Sequence, residues 1–332
     1  MSIAVIDDGA LDWAKGYGVC ELGSEQRVTT ETRFQAGSIS KPVAAAGVLT
    51  LVAQGKLGLD ADVNATLASW QVPVNELLRD RRVTLREIMS HSAGLTVHGF
   101  GGYERNAPIP ALIDVLDGKP PANSPPIRVD ILPATRWRYS GGGYTVMQQM
   151  LIDLLHEPFP DFMERAVLQP AHMTHSTYRQ PLPDELAPLA ATGHYASGAR
   201  VAGKWHVYPE MAAAGLWTTA SDLASFAIAI QESLGGKDGL LPTATALEML
   251  SVQSGTWGLG FNLNGKGEQL RFSHNGRDEG FDASLVAFAE QGKGAAIMIN
   301  SNNDDGFVDD VLASIAREYG WPGSAEPSPP RK

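Results

Sequence analysis

The chain has 332 residues, 26 Lys and Arg against 37 Asp and Glu, and a net charge of −11. That length allows one large domain or two smaller ones, the composition is ordinary for a soluble globular protein, and the acidic balance without a basic stripe excludes nucleic acid as a partner. A single cysteine, Cys20, excludes an intrachain disulfide and a cysteine-based metal site.

No apolar run reaches transmembrane length, so no integral membrane segment is expected. Met1 to Asp8 reads as a strand and not as a signal peptide, which leaves the compartment open: cytoplasmic as the chain stands, periplasmic or secreted if an upstream leader was removed. Residues 2–19 read as a hairpin, with Ile3 and Val5 alternating, a turn at Asp7-Asp8-Gly9, and Leu11, Trp13 and Tyr17 in the return strand. A third strand is expected over 32–36. A helix from Ser40 to about Gln54 follows, with Pro42 in its first turn and Gly55 at its end.

Thr84-Leu85-Arg86-Glu87 is a capping box that opens another helix, closed by Ser90-His91-Ser92-Ala93-Gly94-Leu95. His91 reads as a packed, hydrogen-bonded residue. Residues 104–135 are rich in Pro and low in periodicity, with one short helix from Ile109 to Leu116. A loop of that length is expected to form a lid or wall, here an apolar one. Arg136 to Tyr144 contains Gly141-Gly142-Gly143, which read as a close backbone approach to a site and not as a phosphate loop, since no Lys-Ser/Thr follows. A helix then runs to about His156, and 157–180 hold another helix and a loop.

Short strands are expected over 193–210, then helices at Leu223–Ile230 and about 243–251. The last third is strand-rich: 257–263, 268–274, 282–290 and 294–300. An amphipathic helix over 307–319 carries Val308, Val311, Leu312 and Ile315 on one face, with Asp304, Asp305, Asp309 and Asp310 at its start. From Pro322 the tail reads as disordered. Strands at both ends and helices between them predict one sheet built from both termini with a helical insertion. The expected division is 1–55 and 201–321 for the sheet part and 56–200 for the inserted part, with 322–332 as the tail.

The chemistry concentrates at Gly37-Ser38-Ile39-Ser40-Lys41-Pro42. Ser38 and Lys41 are three apart, so at a helix start they share a face. A serine hydroxyl is a poor nucleophile until a base takes its proton, and an amine one turn away can be that base. A free Lys titrates near ~10.4, so being half neutral at pH 7 costs about 4.6 kcal/mol, which burial can impose. Taken alone, a Ser at a helix start is usually only a cap.

The ordered motifs resemble the serine β-lactamase and penicillin-binding-protein-like superfamily, in the branch of AmpC-type β-lactamases, DD-peptidases, D-aminopeptidases and β-lactamase-like esterases. Ser38-Ile39-Ser40-Lys41 matches S-x-x-K, Tyr139-Ser140-Gly141 sits where the family has Y-x-N, and Ser273-His274-Asn275-Gly276 sits where it has K-T-G or H-x-G. The resemblance covers about residues 2–320. It implies an α/β (α+β) fold of the β-lactamase/transpeptidase type, with an antiparallel sheet flanked by helices. It further implies acyl transfer through a Ser38 ester, Lys41 holding or accepting its proton, and Tyr139 sharing proton transfer. Tyr139 would act as a phenolate only with cationic neighbours, for which Lys41 and His274 are the candidates. The Ser38 and Arg277 N–H groups would form the oxyanion hole, beside Gly276.

Two departures stand out. Gly141 replaces the Asn of Y-x-N, which in the family reads the amide of peptide or β-lactam side chains, and His274 replaces Lys, weakening the pull on a substrate carboxylate. Lys237-Asp238-Gly239 is a rival third motif but precedes a helix. His172 and His175 lack acidic or Cys partners nearby, so no metal and no cofactor are expected. The expected function is a carboxylesterase on small or short-chain esters. The alternatives are a D-amino-acid peptidase or DD-carboxypeptidase, a weak β-lactamase, and a non-catalytic penicillin-binding sensor. The expected partner is a small ester, amide or D-amino-acid peptide substrate.

Overall fold

A computed structural model describes residues 1–237, 239–303 and 305–324. In chain order the elements are β1 (Ser2–Asp7), β2 (Ala10–Gly16), β3 (Phe34–Gln35), α1 (Ser40–Ala53), α2 (Leu85–Met89), β4 (Tyr103–Glu104), α3 (Leu112–Asp117), α4 (Gly141–Leu155) and α5 (Phe159–Met163). They continue with β5 (His206–Val207), α6 (Met211–Ala214), β6 (Trp217–Thr218), α7 (Ala220–Leu234), α8 (Thr243–Met249), β7 (Asn262–Asn264), β8 (Arg271–Asp278), β9 (Phe281–Phe288), β10 (Gly294–Ile299) and α9 (Phe307–Glu318).

The main sheet has six strands in the order β2-β1-β10-β9-β8-β7, and every pairing is antiparallel. Its strands come from both ends of the chain, as their alternating and apolar runs require. β10 is buried along its whole length, so both of its faces are covered. Side-chain parity shows by what: Ile3, Val5 and Ile297 join Ile315 of α9 in one cluster. Ala4, Ile6, Ala296 and Met298 face the opposite way, into the large core that includes α1 and α7. The stripe Val308, Val311, Leu312 and Ile315 is the face α9 turns to the sheet.

Several expectations change, among them the strand over 257–263, which forms only at Asn262–Asn264, and the one over 268–274, which starts at Arg271. The strand at 32–36 shrinks to Phe34–Gln35 and pairs with β6, outside the main sheet. The helix after Tyr139 starts at Gly141, so the three glycines lie in its first turn, where Ser140 caps it through the Gly143 N–H. Only β5 forms as a strand within 193–210, paired with β4. Asp238, Asp304 and residues 325–332 lie outside the described residues.

α1 is buried almost all round, which fits a helix apolar on every face. The turn leading into it, Gly37–Ile39, is pinned from several sides. The Ala36 N–H donates to Leu216 O at 2.9 Å, the Ser40 hydroxyl to Gly37 O at 2.6 Å, and the Tyr178 hydroxyl to Ser40 O at 2.6 Å. Gly37 has φ +50°, and a Cβ there would lie 2.5 Å from the Arg277 nitrogen. Gly276 is equally constrained, since its Cβ would meet Ala36 O at 1.9 Å. Both positions therefore need glycine so that β8 can pass against the Ser38 turn.

Candidate active site

The junction of the α1 turn, α6 and β8 encloses a cavity of about 920 Å³. Ser38, Lys41, Tyr139, His274, Gly276 and Arg277 all line it. Gly141 does not: it packs behind, where a Cβ would meet His98 O at 3.0 Å and the Phe100 ring at 3.2 Å. The glycines thus admit a close backbone approach, but to segment 96–100 and not to the cavity. The expected wall from 104–135 is also absent, because Leu116, Ile127 and Val129 of that stretch are spent in the core. Phe100, Trp137, Trp257 and Phe307 form the apolar wall instead, with Trp137 41% exposed and stacked 5.8 Å from Trp257.

Lys41 is 1% exposed, yet its Nζ lies 3.0 Å from Ser38 Oγ and donates to Ala213 O at 2.7 Å. Burial brings its pKa down to about 7, against the pull of Asp278 in the other direction. An amine at that value is a substantial fraction neutral, able to accept a proton from Ser38 at physiological pH. The Lys41 Nζ also sits 4.9 Å from the Tyr139 ring centroid.

Tyr139 is partly buried, and burial pushes its phenol well above the usual range, opposed by the Ser38 hydroxyl. It is a neutral phenol here. His274 is 5% exposed, and burial followed by the Lys41 charge takes its pKa down to about 3. Its Nδ1 lies 2.6 Å from Asn275 O and donates to it, which leaves Nε2 as a buried acceptor with no partner. The expected cationic neighbour at 274 is therefore an uncharged imidazole, and a phenolate at Tyr139 has only Lys41 to favour it.

Arg277 stands directly opposite Asp282 across the β8–β9 ladder. Its guanidinium holds both carboxylate oxygens, at 2.7 Å and 2.8 Å, and also donates to Asn303 O at 3.1 Å. A second polar layer holds Asp278, which also lines the cavity, and Glu210, and both are buried. Burial raises both carboxyls, Glu210 to about 8 and Asp278 well above its usual range. Sequence reading missed this layer and both tryptophans, since no spacing rule links residues brought together from 137, 210, 257 and 278. His172 and His175 lie away from the cavity, and the expectation that no acidic group stands near them fails at His175, whose backbone N–H donates to Asp222 Oδ2 at 2.8 Å.

Against known proteins, the family model described as Beta-lactamase matches residues 1–318. A curated relative, the unguisins hydrolase ungD' of Aspergillus campestris, is 31% identical over 190 residues, covering 54% of this chain and 33% of the relative. The match therefore spans about a third of that relative's length. The octameric penicillin-binding protein homologue from Pyrococcus abyssi superposes with a TM-score of 0.76 at 20% identity, over 96% of this chain and 73% of the other. A crystal structure of SurE with D-Leu gives 0.73 at 23% identity, over 100% and 74%. At these identities the two superpositions establish the fold.

Proposed function

The chain belongs to the Beta-lactamase family, matched over residues 1–318, and from that premise we propose that it is a serine carboxylesterase acting on small or short-chain esters that carry no carboxylate. The observation that carries the reading is the charge balance of the cavity. Penicillins and D-alanyl peptides present a carboxylate, which needs a cation facing it. Here His274 is neutral and the Arg277 guanidinium is already held by Asp282. With Asp309 also on the wall, the described lining offers an anion no surplus of positive charge.

In this reading Lys41 takes the proton as Ser38 Oγ attacks the ester carbonyl. The oxyanion that forms is held by the Ser38 and Arg277 N–H groups, a donor pair of the kind whose loss costs about 3 kcal/mol per member. Collapse breaks the carbonyl–alkoxy bond, and the alkoxide takes a proton from Tyr139, which is refilled from Lys41. A water then attacks the Ser38 ester, giving a proton back through the same pair, and Ser38 leaves with its hydroxyl restored. The amine is the formal base because its pKa is brought down to about 7 while the phenol's is pushed up.

A D-amino-acid peptidase is the second reading, favoured by the superposition on SurE with D-Leu. Hydrolysis of p-nitrophenyl butyrate by the wild type and by Ser38→Ala tests the first. Turnover lost in Ser38→Ala, and not inhibited by D-alanyl peptides or β-lactams, supports the esterase. No turnover by either protein overturns it.

A further inference from the structure

His91 sits in a conformation its residue type does not favour. α2 ends in a Schellman motif: the Ser92 N–H donates to Glu87 O at 2.8 Å and the His91 N–H to Ile88 O at 3.2 Å. His91 occupies the left-handed position of that motif with φ +60°, where glycine is the usual residue. It is 1% exposed, and its Nε2 is buried without a hydrogen-bond partner. A buried, unpaired polar group at a strained backbone position is costly, and such positions concentrate at functional sites.

What His91 touches is the segment that carries Tyr139. The Arg138 N–H donates to the His91 carbonyl at 2.7 Å. The Ser140 N–H donates to His91 Nδ1 at 3.1 Å, which places the imidazole proton on Nε2. Between these two anchors the Tyr139 ring stacks on the imidazole, with centroids 4.2 Å apart and planes 29° apart. Trp257 closes on the imidazole edge-on at 4.8 Å. Three consecutive residues are thus held by one side chain and its own carbonyl.

We propose that His91 is the positioning residue for Tyr139, fixing the phenol so that its hydroxyl stays in line between Ser38 and the leaving-group oxygen. The inference rests on the reading of Tyr139 as the proton relay. Neutrality is part of the device. Burial first, and then the nearby Lys41 charge, keep the imidazole uncharged. A cation there would repel Lys41, and an aliphatic side chain would hold neither the Ser140 N–H nor the ring. Glycine, the residue the backbone prefers, would leave the phenol's face empty.

Ethyl butyrate and p-nitrophenyl butyrate separate positioning from general damage. An ethoxide needs a proton to leave and a p-nitrophenolate does not, so a displaced phenol slows the alkyl ester selectively. His91→Ala is expected to lower kcat/KM for ethyl butyrate by about 10- to 100-fold and for p-nitrophenyl butyrate by no more than about threefold. In a Tyr139→Phe background the same change is expected to cost almost nothing further. Because Ala leaves a void, His91→Asn and His91→Phe accompany it. Asn suits the left-handed backbone and keeps an acceptor for Ser140, Phe keeps the stack, and each is expected to restore part of the alkyl-ester rate. Equal slowing of both esters, or costs that multiply with Tyr139→Phe, overturns the inference alone. Full activity of Tyr139→Phe overturns the relay and the inference together, as does a wild type inert toward both esters.

Discussion

Lys41 and His274 both line the cavity, one from the α1 turn and one from β8, both buried, and the same physical cause acts on each. Loss of hydration lowers the amine from 10.5 to about 7 and the imidazole from 6.5 to about 3. On the α1 side, in the proposed mechanism, it makes a base, because the amine starts high and lands in the range where protons must be exchanged. On the β8 side it makes an inert acceptor, because the imidazole starts near neutrality and is driven far below it. Burial therefore tunes one wall for proton transfer and silences the other, and the partners agree: Lys41 reaches Ser38 Oγ, while His274 spends its proton on Asn275 O.

The bluntest way to break this contrast is to remove the working wall. Ser38→Ala and Lys41→Met are each expected to lower kcat for p-nitrophenyl butyrate by at least about 10³-fold. His274→Gln, which keeps a polar acceptor, is expected to cost less than about fivefold. Comparable losses at 41 and 274 would show that the two walls do not differ as argued.

Gly276→Ala probes how closely the walls meet. The new methyl would overlap backbone, lying 1.9 Å from Ala36 O, so the strand and the turn must part. Activity is expected to drop about 10²-fold, with a Tm lower by at least roughly 5 °C. Unchanged melting and turnover would mean that the turn is not held against β8.

The pH dependence sharpens the contrast further. The reactive form is neutral Lys41, so kcat/KM is expected to rise with pH, about tenfold per unit below the inflection, and to level off above about 7. Because His274 stays neutral down to about 3, its titration adds no inflection in the neutral range. In His274→Gln the inflection should stay near 7. An inflection that disappears with His274 would assign the base to the wrong wall.

How much of this was legible follows from distance along the chain. Ser38 and Lys41 are one turn apart, and Gly37 and Pro42 mark where that turn begins, so local spacing places the amine near the hydroxyl. The sheet was legible because β1 and β8–β10 carry dense apolar or alternating runs, and α9 because its stripe repeats at helical spacing. The apolar wall was not. Leu116, Ile127 and Val129 are as apolar as Phe100, Trp137 and Trp257, and only tertiary packing decides that the first set fills the core and the second faces the cavity. His91 was read as packed, which it is, but its stack on Tyr139 joins residues 48 apart and leaves no periodic trace. The one local signal was a histidine at a helix end where glycine is usual.

The finest test concerns the ion pair that leaves the β8 wall without surplus charge. Asp282→Asn keeps the shape and one oxygen, which in the Oδ2 position still accepts from Arg277 Nη2 and the Asn303 N–H, but it removes the carboxylate charge and the acceptor for Arg277 Nε and the Asn302 amide. Arg277 then loses the charge of its Asp282 partner at the cavity edge. The pair is half exposed on the Arg277 side, so its effect on a ligand is screened and worth no more than about 1 kcal/mol. The expected outcome is a roughly two- to fivefold gain in kcat/KM for an ester bearing a terminal carboxylate, such as a hemisuccinate, relative to its neutral methyl ester. Raising the salt concentration should erase the gain, since exposed charges are screened over about 10 Å at 0.1 M. If the relative preference does not move, the carboxylate is excluded by shape and not by charge, and the aromatic wall of Trp137 and Trp257 becomes the feature that sets the substrate.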